Sequence, residues 1–213
     1  WGLALLLAFS VSPVLAQKPN KVLQSLSRRI SILDPISFKQ LSIYPVVSTH
    51  AHQADRYITL DKAISKRRIV VSEWGSGEVP RLKLRHKGTG KVFIMTGEII
   101  TGAKQDRIAA NDVLIDRAKT MSIAVYCVEE NRWSRRSQHF AAGGTAVAKK
   151  VRRSAVNKAG QSRIWANVSE KSRQSNVRSA TGTMQAVYND PKIRRKLETY
   201  RKALQNVPKR HSN

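Results

Sequence analysis

The chain has a single cysteine in 213 residues, Cys127, so no intramolecular disulfide can form and stability must come from a packed core. No metal signature of the Cys-x-x-Cys kind is present. Acidic residues are scarce too: 14 Asp and Glu stand against 39 Lys and Arg, a formal charge of +25. Aromatic residues make up only 6% of the chain, and they do not alternate with the basic residues as in single-strand nucleic-acid binders. Gly-x-Ser-x-Gly and Ser-x-x-Lys are both absent. Gly88-Thr89-Gly90-Lys91 lacks the frame and the following Ser or Thr of a phosphate loop. Neither nucleic acid nor a Ser-based hydrolase is therefore the expectation.

What is present is unevenly placed. Residues 131–213 carry 20 of the basic residues and 3 of the acidic ones. So dense a cationic part attracts anionic surfaces and polymers. The first 16 residues carry no charge. The apolar run Leu3-Ala4-Leu5-Leu6-Leu7-Ala8-Phe9 ends at Pro13-Val14-Leu15-Ala16, with small-residue spacing before Gln17. Residues 1–16 read as a secretory signal peptide, too short to span a bilayer. No Met and no basic stretch precedes them, so the expectation is that a few residues are missing upstream and that the protein is exported, to a periplasm or outside the cell.

After an N-terminal arm over 17–35, residues 36–213 read as one α+β domain, with strands first and helices last. Residues 22–32 suit a short helix or an ordered arm, and 36–48 one or two strands. Asp61 is placed to cap a helix through Lys66. Residues 68–74 form an apolar, β-branched strand. Residues 79–86 alternate apolar and basic, and a Gly-rich turn leads into 91–95, which reads as a hairpin. Further strands are expected at 98–101, 107–114 and 121–128. Ala142-Gly143-Gly144 reads as a flexible joint. Three helices follow. The first presents Val147, Val151 and Ala155 on one face. The second covers about 162–171. The third begins at Asp190-Pro191 and carries a stripe of Ile193, Leu197, Tyr200, Leu204 and Val207. The expected architecture is an antiparallel sheet in the N-terminal two-thirds, with the C-terminal helices packed on one side.

Two polar clusters interrupt the strand region: Gly97-Glu98 with Gly102-Ala103-Lys104-Gln105-Asp106-Arg107, and Cys127-Val128-Glu129-Glu130-Asn131-Arg132-Trp133. Gln105 can donate and accept, and a guanidinium forks onto carboxylate or phosphate. Trp133 can stack on a ring or fill a core. Glu98 with Arg107, or Glu129 with Arg132, could equally be structural ion pairs. Cys127 shares a strand face with Met121, Ile123 and Val125, which predicts a buried, unreactive thiol. His50-x-His52 has no accompanying ligand set and reads as a solvated pair rather than a metal site.

The spacing Gly97-Glu98-x-x-x-Gly102-x-x-Gln105-x-Arg107, followed by Val125-x-Cys127-Val128-Glu129-x-x-Arg132-Trp133, resembles the domain named for its association with ADP-ribosylglycohydrolase and rhodanese-phosphatase proteins. Arg153 and the pair Gln161-x-x-x-Trp165 resemble a looser continuation, and the likeness covers about 36–190. The resemblance implies a family, with no settled activity attached to it. It moves Glu98, Gln105, Arg107, Glu129, Arg132, Trp133, Arg153, Gln161 and Trp165 forward as ligand-binding candidates. The expected function is a pocket for a small polar or anionic ligand, with the basic surface held near an anionic envelope component or acidic polysaccharide. No metal or cofactor is implied. The alternative is a hydrolase with Glu98 or Glu129 as general base and Arg107 and Arg132 stabilising anionic charge.

Overall fold

The computed structural model describes residues 21–48, 57–88 and 90–205. The leader at 1–16, His50 and His52, and Val207 of the last apolar stripe lie outside them. The chain divides into two compact units, residues 1–52 with 204–213, and residues 53–203. In the first unit, helix α1 (Lys21–Ser27) leads into strand β1 (Ile30–Ile32). A hairpin of β2 (Ile36–Phe38) and β3 (Leu41–Ile43) follows, and β4 (Val46–Ser48) returns to pair with β1.

The second unit begins with β5 (Tyr57–Thr59) and helix α2 (Leu60–Ser65). The helix is capped by Thr59, whose hydroxyl accepts from the Lys62 N–H; Asp61, the residue expected to cap, sits inside the first turn instead. Next come β6 (Ile69–Glu73), β7 (Arg81–His86), β8 (Lys91–Ile94), β9 (Glu98–Gly102), β10 (Arg107–Ala109), β11 (Val113–Ile115), β12 (Lys119–Cys127) and β13 (Phe140–Ala146). Six of these close into a barrel in the order β10-β12-β7-β6-β13-β9, with every neighbouring pair antiparallel. A separate sheet of β11, β8 and β5 packs against it, with β5 and β8 parallel.

The hairpin expected between residues 79–86 and 91–95 does not form. Both edges of β7 are taken, by β6 and by β12, so β8 has no edge to join and leaves for the other sheet. The strand expected over 107–114 is two strands, β10 and β11, in different sheets.

Alternation fills the barrel. Leu82 and Leu84 of β7, Ile69 and Val71 of β6, Ile123 and Val125 of β12, and Ile100 of β9 point into one core. Leu60 and Ala63 of α2 and Val92, Ile94 and Ile115 of the second sheet complete it. The intervening residues of one wall, Ile99, Ile108 and Val128, face outward under the helices. Those are α3 (Lys149–Val156), α4 (Gln161–Gln174) and α5 (Met184–Asn189), which bury Val151, Ala155, Ile164, Val168, Met184 and Val187 there. The fold is α+β, with the helices on one side.

Two expectations change. Ala142-Gly143-Gly144 is not a joint: it lies within β13, whose register on β9 shifts between Ala142 and Ala146, a bulge that the glycines permit. A Cβ on Gly143 would sit 2.7 Å from the Ile99 side chain. The last helix, α6 (Pro191–Leu204), starts as expected, with Asp190 accepting from the N–H groups of Lys192 and Ile193. Its apolar stripe is not core, however. No α6 residue is buried, and Leu197 is 48% exposed, because the barrel and α3–α5 already satisfy one another.

Candidate functional site

Strand register sorts the candidate residues between the two ends of the barrel. One mouth gathers the end of β6 (Glu73), the end of β9 (Gly102), the start of β10 (Arg107) and the end of β12 (Cys127). The opposite end holds Glu98, paired with Ala146, and His86, paired with Ile69 and Lys119. At about 3.3 Å per residue, β9 alone sets Glu98 some 13 Å from Gly102. Glu98 is thus not part of one cavity with Glu129 and Arg132. Its carboxylate accepts from the Met95 N–H instead. Burial raises the Glu98 pKa above the ordinary value, opposed by that bond and assisted by nearby Asp61.

At the mouth the loops 102–106 and 128–134 are locked together by charge. Arg132 Nη2 donates to Glu129 Oε2 at 2.6 Å and to the Gly102 carbonyl. Its Nη1 donates to the carbonyls of Ala103 and Ser134. Glu129 Oε2 also accepts from the Asp106 N–H. Asp106 accepts from the Gly102 N–H and from the Thr183 hydroxyl at the start of α5. Asp106 and Glu129 are wholly buried, and Arg132 is 8% exposed. Burial pushes Glu129 up, but bonds from Arg132, Thr181 and the Asp106 backbone outweigh it, and its pKa lies below the ordinary value. The clamp also holds Ala103 at φ +38, a left-handed conformation costly for a residue with a Cβ. Gly102 is needed for a comparable reason: at φ +118, a Cβ would meet Ser137 Oγ at 2.6 Å. What approaches Gly102 is the protein's own loop.

Beside the clamp lies a less settled group. Arg107 is fully buried, and its Nη1 donates to Gln105 Oε1 at 2.8 Å. Gln105 in turn donates to the Glu130 carbonyl. The remaining guanidinium nitrogens of Arg107, Nε and Nη2, find no acceptor of good geometry among the described residues. Glu73 accepts from the Lys104 N–H through Oε1, while its buried Oε2 has no partner among the described residues. Arg107 and Glu73 both act on the Cys127 thiol, whose pKa is raised above the ordinary value by burial and held back by Arg107. Trp133, 51% exposed, lies over this group with Lys104 Nζ at 5.1 Å and Arg107 Cζ at 5.7 Å from its ring centre.

The remaining candidates have other places. Gln161 donates to and accepts from the Cys127 backbone, both at 2.8 Å, where β12 extends past its pairing with β7. Its amide stands in for a missing strand. Trp165, one turn on, lines a groove between α4 and residues 176–182. Arg153 is exposed on α3, away from the mouth group. Sequence reasoning missed Glu73, which belongs to no motif; a lone acid ending an apolar strand was its one signal. Among the described residues, no group of His, Cys, Asp or Glu is arranged to hold a metal ion.

The fold and the mouth define an α+β barrel domain with helices on one wall and charge-clamped loops over one end. The chain belongs to the ARG and Rhodanese-Phosphatase-superfamily-associated Protein domain family, whose model matches residues 29–211. Searches of curated proteins and of solved structures gave no significant match.

Proposed function

We propose that this is an exported binding domain that takes a small polar ligand at the barrel mouth, between Arg107 and Glu73 and beneath Trp133. One observation carries the reading: beyond the Cys127 thiol, Nε and Nη2 of a fully buried guanidinium meet no acceptor among the described residues, and a buried Glu73 oxygen beside the same thiol meets no donor there either. Native proteins pair such groups, since each orphan costs about 1–3 kcal/mol and more when charged. A molecule offering a carboxylate or similar acceptor to Arg107 and a donor to Glu73 would satisfy both. Trp133, half in solvent, would move aside and then close over it.

The hydrolase alternative finds less support. Glu129 is held ionised by Arg132 and the Asp106 backbone, which makes it a weak proton acceptor near neutrality. Glu98 has the raised pKa a base would want, but it lies at the far end of the barrel from Arg107 and Arg132.

A thermal-shift screen against hydroxy acids, amino acids and sugar acids tests the binding. A ligand at 100 times its Kd adds about 2.7 kcal/mol to wild-type stability. Arg107→Gln and Glu73→Gln should each abolish that increment. No stabiliser in the panel, or one equally effective on both variants, would overturn the proposal.

Export rests on the uncharged apolar leader at 1–16, and a mature N-terminus at Gln17 is its direct test. No helix among the described residues is long and apolar enough to cross a membrane. Contact with an anionic envelope surface or acidic polysaccharide rests on the basic C-terminal part, where Arg194, Arg195, Arg201 and Lys202 are exposed on α6. Replacing these four with Gln should sharply lower retention on heparin at low salt, with folding intact. Such binding is screened over about 8 Å at physiological ionic strength. Unchanged retention would mean the charge is only a solvated surface.

A further inference from the structure

Helix α4 from Trp165 onward, the loop 176–182 and residues Glu130 and Asn131 enclose a groove of about 590 Å³, well within the range of small-molecule sites. Its lining differs from the rest of the basic surface. Val168 and the half-buried Trp165 provide an apolar wall. Short hydroxyl and amide side chains, Ser169, Ser172 and Asn176 among them, stand along it. Two exposed guanidinium groups, Arg173 and Arg178, complete it, with one acid, Glu130.

We infer that this groove binds an acidic saccharide, a sugar unit bearing a carboxylate, independently of the barrel mouth. The combination is specific to that chemistry. An aromatic wall takes the C–H face of a pyranose. Serine and asparagine side chains donate to and accept from hydroxyls that a purely ionic site would leave unmatched. A guanidinium group on the groove forks onto a carboxylate. An inorganic anion would use the arginines and leave the wall and hydroxyls idle. A neutral sugar would leave the arginines idle.

Isothermal titration with trigalacturonate, against maltotriose and inorganic phosphate, tests the assignment on the mature protein. The expected result is saturable binding of trigalacturonate at 0.15 M salt, with maltotriose and phosphate at least tenfold weaker. Arg173→Gln/Arg178→Gln should weaken trigalacturonate at least tenfold. Trp165→Ala, which removes the wall, should weaken it several-fold. Arg194→Gln/Arg195→Gln, the same charge change on α6, should leave it unaltered. Absence of saturable binding, equal binding of maltotriose or phosphate, or an equal loss in the α6 variant would overturn the inference. Circular dichroism melts of each variant identify any loss that comes from unfolding, and the arginine pair, being exposed, then decides the matter without Trp165.

Discussion

Arg132→Ala should be severely destabilising, by about 3–5 kcal/mol, because it strands Asp106 and Glu129 as buried like charges without their cation. It also leaves the carbonyls of Gly102, Ala103 and Ser134 without their donor. For a domain of this size the melting temperature should fall by roughly 6–20 °C. Arg136→Ala is the control. Arg136 reaches Glu129 at 3.5 Å from a side chain that is 54% exposed, so its loss should cost under about 1 kcal/mol. The pH dependence has a definite sign. Folding lowers the Glu129 pKa, so its contribution is complete above the ordinary carboxylate range and is lost as pH falls through the folded value. In Arg132→Ala the buried Glu129 carboxylate has reason to bind a proton. The gap between wild type and variant is therefore widest near pH 7 and narrows on acidification. Melting curves from pH 7 to pH 4 measure it; a cost below 1 kcal/mol, or a gap that widens in acid, would refute the clamp.

Gly143→Ala should cost about 1–3 kcal/mol by overpacking. The new methyl would lie 2.7 Å from the Ile99 side chain and 2.9 Å from its carbonyl oxygen, and the backbone atom cannot step aside. Gly144, next along the bulge, makes the comparison sharp. A Cβ there meets nothing within 4 Å, and only its φ of +70 opposes a side chain, so Gly144→Ala should cost less, about 1 kcal/mol. Were this segment the flexible joint that its Ala-Gly-Gly sequence suggests, both changes would be close to neutral. Urea titrations of the two variants separate the readings.

Local chemistry in the sequence reached as far as local structure. The helix at Asp190-Pro191, the buried Val151 and Ala155 stripe and the buried Cys127 follow from spacing alone, because each depends on residues a turn or two apart. The closing of the barrel does not, since β9 meets β13, and β7 meets β12, through pairings no local pattern encodes. That is also why the hairpin after residue 79 misled: alternation reveals a strand, not which edge it joins. The two motifs were expected to converge, and partly do. Gln105, Arg107, Glu129, Arg132 and Trp133 meet at one mouth, while Glu98, inside the same motif, is carried away by the length of β9. α6 teaches the converse: its apolar stripe is real, but periodicity cannot tell whether a core has room left for it.

Successive residues of one wall belong to different interiors: Ile99 to the helical side and Ile100 to the barrel, Ile108 to the helical side and Ala109 to the barrel. A partition built this way leaves neither half an independent melting unit. Stripping off α3–α5 would put Ile99 and Ile108 in water on the same strands that line the barrel, and opening the barrel would remove the platform on which Ile164 and Met184 rest. The deepest amides of β9 and β10 should therefore exchange with solvent only through global unfolding, at the same free energy as those of α4.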